Sequence, residues 1–361
     1  MGETPAEGTT TGMKREGYYD SHSEYQRRVI EAGAAATREM IGGLDLGAGE
    51  AAISIADYGA GTGATSVEAM RTAIEAVRAR SSDLPLVAIH NDLPTSDFGA
   101  LRLAAGKGGY LEIEGGPIYS TAAAGSFFDR VLPDATVRVA TCFNASHWFR
   151  RQPDVGPMDG MYFSTARGEQ REALAAQAAG DWVAFLSARM AELAPGGRLL
   201  VQGIGTEDDG RVSAAKLLDQ MWEVGVELSE RGVLDREVLD RFVFPVYCRT
   251  AAEATAPVED GGALAGRLTL VSSHMAEVAN PYWEELERRG DAGAYARDYT
   301  AFMRAFSEST LDRELFEPGA RGAEPAAVRD EFFSDFERAT ERDPEAGHYY
   351  AHILTVVFAR A

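Results

Sequence analysis

The run Ile53-Ser-Ile-Ala-Asp-Tyr-Gly-Ala-Gly-Thr-Gly63 holds the residues best suited to chemistry in this 361-residue chain. An apolar segment ends in Asp57, and Gly59, Gly61 and Gly63 follow at two-residue spacing. Glycine allows a tight turn and lets a ligand lie against the backbone with no Cβ in the way. A second apolar segment, 84–89, ends in His90-Asn91-Asp92 and brings a second acid to the end of a neighbouring strand. Two carboxylates so placed suit a ligand with an ammonium at one end and a ribose diol at the other. S-adenosylmethionine (SAM) has that form. A dinucleotide shares the diol, but its pyrophosphate sits poorly beside Asp57, so NAD ranks second.

Other reactive residue types have plainer readings. His147 next to Trp148 reads as a structural or pocket-wall histidine, and Trp148 alone as core packing. Glu207-Asp208-Asp209 reads as a solvated loop, with no metal expected. Cys142 and Cys248 form no CxxC pair, which points to a reducing compartment and away from a zinc ribbon. A net charge of -21 argues against a nucleic-acid surface. The first residues lack a basic and apolar signal, and no run reaches membrane-helix length, so a soluble cytoplasmic protein is expected. Only Lys14, Lys107 and Lys216 are lysines among 35 basic residues, a codon-bias signature without functional weight.

The elements that must position these residues alternate. Residues 1–13 are small and polar and read as disordered. A helix is expected over 23–42, strand 53–58, helix 65–80, strand 84–90, a turn over 91–99 and a helix after it. Residues 115–121 read as extended, 125–128 as opening a short helix, and 136–143 as the third parallel strand. An amphipathic helix over 169–194, with Trp182, Phe185, Leu186 and Met190 on one stripe, precedes strand 198–203. Such alternation predicts an α/β, doubly wound, mostly parallel sheet. After Gly205 helices dominate, with strands expected at 264–271 and 349–358. Residues 206–310 therefore read as a mainly helical cap inserted over the strand ends, with 14–205 and 311–361 forming the core.

Taken in order, several segments resemble the SABATH family of SAM-dependent methyltransferases. Tyr18-Tyr-Asp-Ser-His-Ser-Glu-Tyr-Gln26 is similar to its Y-x-x-N-S-x-x-Q, and Ala56-Asp-Tyr-Gly-Ala-Gly-Thr-Gly63 stands at its A-D-L-G-C-S-S-G. Asn91-Asp-Leu-Pro-Thr-Ser-Asp-Phe98 is close to N-D-L-P-x-N-D-F, Gly125-Ser-Phe-Phe128 to G-S-F-Y, and Ser146-His-Trp148 to L-H-W. The run from Asp181 to Arg198 follows D-F-x-x-F-L-x-x-R-x-x-E-L-x-P-G-G-R, and Phe244-Pro-Val-Tyr247 follows I-P-x-Y. The resemblance spans roughly residues 18 to 358. It implies a class I, Rossmann-like core with a helical cap, a homodimer, and methyl transfer from SAM to the carboxylate of a small aromatic or hydrophobic acid, leaving S-adenosylhomocysteine (SAH). Carried over by motif, Tyr19, Ser23, Asp57, Gly59, Gly61, Asp92, Leu93, Ser126 and Phe127 would surround SAM. Cys142, most simply a buried residue at a strand end, would face the adenine. Gln26 and Trp148 would hold the carboxylate, with Asn144, His147 and Trp222 on the substrate side.

The departures bear on substrate more than on chemistry. Ala60-Gly-Thr-Gly63 replaces Cys-Ser-Ser-Gly, Thr65 replaces an asparagine, His22 another, and Asn144 stands where plant members have tyrosine. They suggest a microbial branch. Two neutral donors, the Gln26 amide and the Trp148 indole N–H, suit a carboxylate that must stay nucleophilic, and no general base or metal is needed. N-methylation of a heterocycle in the same fold, an NAD(P)-dependent oxidoreductase on the glycine turn, and a catalytically silent SAM-binding partner stand as rivals.

Overall fold

Strands that are apolar on both faces need cover on both faces. The run 53–58 meets that condition: Ile53 and Ile55 point one way, and Ala56 and Tyr58 the other. The computed structural model describes residues 24–46, 51–61, 63–106 and 108–361. Its first elements are helix α1 (Glu24–Gly42), strand β1 (Ile53–Tyr58), helix α2 (Ala64–Arg78), β2 (Leu86–Asp92), α3 (Phe98–Ala105), β3 (Ile118–Ala124) and β4 (Val137–Phe143). The long α4 (Gly168–Glu192) runs straight into β5 (Leu193–Ile204). The helices α5 (Ala215–Glu230), α6 (Arg236–Arg241) and α7 (Ala251–Thr255) follow, then β6 (Leu268–Val278), α8 (Pro281–Arg289), α9 (Ala292–Leu311), α10 (Pro325–Arg342) and β7 (Ala351–Arg360).

The seven strands form one sheet in the order β3-β2-β1-β4-β5-β7-β6. β3 through β5 are parallel, and β7 runs antiparallel to both of its neighbours. Strand order reverses between β1 and β4, and open α/β sheets bind ligands at the carboxyl ends of such a switch point. One face is covered by α1 and α2, which send Ile30, Met40, Met70, Ile74 and Val77 onto Ile53, Ile55 and Leu86. The other is covered by α4, whose Trp182, Phe185 and Leu186 pack on Tyr58, Ala140 and Leu199.

A third apolar cluster builds the cap from α5, α9 and α10. Its membership corrects the expected boundaries. α10 carries Val328, Phe332 and Phe336 at four-residue spacing, and that stripe joins the cap cluster rather than a sheet face. β6, inside the expected cap, is an edge strand of the sheet. The expected disordered segment 1–13 lies outside the described residues. Residues 125–128 form a turn rather than a helix start. Among the described residues no helix is long and apolar enough to cross a membrane.

Candidate active site

β1 and β2 both end at the switch point, and each delivers an acid there. Asp57 lies in register with His90 on β2 and Thr141 on β4, so the three side chains share one face. Thr141 Oγ1–H donates to Asp57 Oδ1 at 2.7 Å, and Ser66 in the first turn of α2 donates to Oδ2. Asp57 is 3% exposed. Burial pushes its pKa up to about 6, opposed by the two hydroxyl donors and reinforced by Asp92. Each carboxylate oxygen has two lone pairs, so acceptor capacity remains for a ligand cation.

The glycine turn closes onto the neighbouring loops. Gly59 has φ 82°, and a Cβ there would lie 2.3 Å from the Ala145 Cβ and 3.7 Å from the Phe127 ring. The Gly59 and Ala60 N–H groups both donate to Asn91 O, at 2.9 and 3.0 Å. Gly61, also with positive φ, donates its N–H to Asp92 Oδ2 at 2.7 Å. Leu93 N–H donates to Asp92 Oδ1 at 2.7 Å, joined there by Ser96 Oγ–H. Backbone donors thus aim the second acid at the turn.

The half-buried Phe127 stands edge-on to Phe185 at 5.8 Å, and Ser126 Oγ accepts the Phe128 N–H at 3.3 Å. α4 secures this segment from beneath. Arg189, fully buried, donates to Phe127 O at 2.7 Å and Asp129 O at 2.9 Å and pairs with the equally buried Glu192. Glu192 also accepts the N–H groups of Val131 and Leu132, at 2.6 and 2.9 Å.

The loop after β4 carries the substrate-side residues. Asn144 adopts φ 50°, a left-handed conformation that asparagine tolerates, and donates its N–H to Gln202 O at 2.8 Å. Trp148 forms a β-bridge with Val246, flanked by Tyr247 N–H on His147 O and Phe149 N–H on Pro245 O. The Trp148 ring is half-buried, 5.6 Å from Phe244, which in turn meets Phe306 edge-on at 6.1 Å. His147 is buried, its Nδ1 has no partner among the described residues, and burial plus the Arg249 charge lower its pKa to about 3. Its imidazole is therefore neutral.

Cys142 has no exposed surface and lies in the apolar cluster under α4, so it packs instead of offering a ligand surface; burial pushes its thiol up to about 12. Trp222 sits on α5 under the Arg236 guanidinium, 5.5 Å from the ring centroid, and among the described residues no ring contact links it to Trp148. Tyr19, Ser23 and Lys14 lie outside the described residues, and of Gln26 only the backbone, in the first turn of α1, is described. Sequence reasoning missed Ser66 and Thr141 as partners of Asp57, and the alignment of His90 with it. The signal for the last two was their register with Asp57 on either side of β1. Among the described residues no group of three or more His, Cys, Asp or Glu side chains could hold a metal ion.

An acid for the ammonium, an acid for the diol, and a turn at Gly59 that a Cβ would fill are a set of residues that fits SAM. A family model described as SAM dependent carboxyl methyltransferase matches residues 8–361.

The chain belongs to that family.

This methyltransferase is 25% identical over 370 residues to gibberellic acid methyltransferase 2 of Arabidopsis thaliana, covering 94% of this chain and 91% of that protein. It is 25% identical over 321 residues to salicylate carboxymethyltransferase of Clarkia breweri, covering 83% and 85%. A solved structure of loganic acid methyltransferase with SAH superposes with TM-score 0.79 at 21% identity, covering 97% of this chain and 98% of that one, and shares the class I fold.

The carboxyl methyltransferase reaction asks little of its protein beyond placement. SAM supplies, when bound, a methyl group on a sulfonium, already a strong electrophile. A carboxylic acid with pKa about 4 is an anion at neutral pH, so there is no proton to remove. The methyltransferase's own residues have to hold one carboxylate oxygen in line, exclude water, and avoid neutralising the anion they orient.

Proposed function

We propose that this methyltransferase esterifies a small aromatic or otherwise hydrophobic carboxylic acid. Gln26 and Trp148 orient its carboxylate, Asp57 takes the ammonium of SAM, and Asp92 takes the ribose diol. The observation that carries the reading is the setting of Trp148. Its half-buried ring packs against the apolar cap cluster, 5.6 Å from Phe244 and 6.3 Å from His147. An indole N–H on an apolar wall suits an acid whose body is hydrophobic and whose head needs a neutral donor. The reading extends to a homodimer in the cytoplasm of a microbe. The cytoplasmic reading is supported by the free thiols Cys142 and Cys248, the microbial one by a glycine turn unlike the plant pattern, and the homodimer by the family resemblance.

The test is transfer of a labelled methyl group to a pool of benzoic, cinnamic, indolyl and aliphatic acids. A base-labile methyl ester is expected, with aromatic or bulky apolar acids favoured. Transfer to an amine or a phenol with no ester formed would overturn it. Full activity in Gln26→Ala would revive N-methylation of a heterocycle.

A further inference from the structure

We infer that His90 is a positioning residue for the ammonium end of SAM: with Ser66, Tyr110 and Ser120 it forms a one-way hydrogen-bond relay that ends on Asp57 and keeps that carboxylate ionised and aimed. The inference rests on the SAM reading of the site. The links form a continuous line. Ser66 Oγ contacts both Asp57 Oδ2 and, at 2.9 Å, His90 Nδ1. His90 Nε2 lies 2.8 Å from Tyr110 Oη, which lies 2.6 Å from Ser120 Oγ on β3. His90 and Tyr110 are completely buried, so water cannot substitute for a missing partner.

Proton counting sets the direction. An ionised Asp57 only accepts, so the single Ser66 hydroxyl proton goes to it. Ser66 can then only accept from His90, which fixes the proton on Nδ1. Nε2 is left as the acceptor for Tyr110 O–H, and Tyr110 accepts from Ser120. Burial holds the imidazole neutral, with its pKa lowered to about 4, as this assignment requires. Were Asp57 protonated and donating to Ser66, every bond would reverse and the His90 proton would move to Nε2. The tautomer of His90 therefore reports the charge on Asp57 whether or not a ligand is bound.

 

Two measurements on the full chain test the relay. The first is ¹⁵N NMR of the histidine-labelled, ligand-free protein at neutral pH, where His90 is expected to carry its proton on Nδ1. The second is calorimetric titration of the wild type, His90→Leu and His90→Asn with SAH and with 5′-methylthioadenosine, which lacks the ammonium. His90→Leu is expected to lose about tenfold in SAH affinity with methylthioadenosine unchanged, the scale of a weakened charge-assisted hydrogen bond. His90→Asn keeps an N–H toward Ser66 and is expected to retain most of it. A proton on Nε2, an equal loss for both ligands, or an equal loss in both variants would overturn the relay. A wild-type protein that bound no SAH would instead overturn the site reading beneath it.

Discussion

Asp57 is an acid held where water scarcely reaches, and its behaviour should be visible in binding. Its pKa of about 6 in the fold exceeds its ordinary 3.8, so the folded state holds that proton more tightly than the unfolded chain does. Its contribution to stability is therefore present at acid pH and is lost as pH rises through about 6, where ionisation without a partner costs free energy. An ammonium beside Asp57 offsets that cost. SAH affinity is expected to fall as pH drops below about 6, and binding near that pH to release a proton, both seen by calorimetry in buffers of different ionisation enthalpy. Asp57→Asn should weaken binding and remove the pH dependence; an unchanged profile would place the ammonium elsewhere. Trp148 makes the matching case for the acid. Trp148→Phe keeps an aromatic ring against Phe244 and deletes one neutral donor, worth about 1 kcal/mol, or several-fold in KM for the acid. SAH affinity should not move.

Elements rather than single residues hold the turn that carries Phe127, and the end of α4 is the clamp. Arg189 and Glu192 are both fully buried and bond the backbone of 127–132, and Glu192 also accepts the Tyr58 hydroxyl at 2.7 Å. Glu192→Gln keeps the shape but leaves the Arg189 charge without its partner, and losing one member of a buried pair costs about 3 kcal/mol or more. A lowered Tm together with weaker SAH binding is expected; a lowered Tm alone would confine the clamp to stability. The same element scale shows what the sequence could and could not reveal. β1, β2, β4, β5 and β7 were legible because each is an apolar run covered on both faces. β3 and β6 are sheet edges whose side chains are mostly exposed, so they were legible only in part, as an extended 115–121 and a strand 264–271, because Ser120, Thr121, Ser272 and Ser273 break the pattern that would set their bounds. The acids at the strand ends were legible from position alone. Their partners were not, because Thr141 and Ser66 reach Asp57 only through register and the first turn of α2.

The whole molecule joins its distant parts at one point. Tyr25, one residue before Gln26, takes the Ala351 N–H on its hydroxyl at 2.6 Å, and it packs in the cap cluster with Phe302 and Tyr349. α1, the cap and β7 thus meet beside the helix turn that bears Gln26. Around this assembly the net charge is -21, and the two reactants feel it oppositely. The acid is an anion and is repelled; SAM, with a sulfonium, an ammonium and a carboxylate, is a net cation and is attracted. Salt shortens the reach of that field, from about 30 Å at 0.01 M to about 8 Å at 0.15 M. Raising ionic strength over that range should therefore lower the KM for the acid and raise the KM for SAM, with little change in kcat. Steady-state kinetics at matched pH, varied with two unrelated neutral salts to separate screening from ion binding, would show it. Two KM values moving the same way would mean that the local field of the pocket, and not the acidic surface, governs approach.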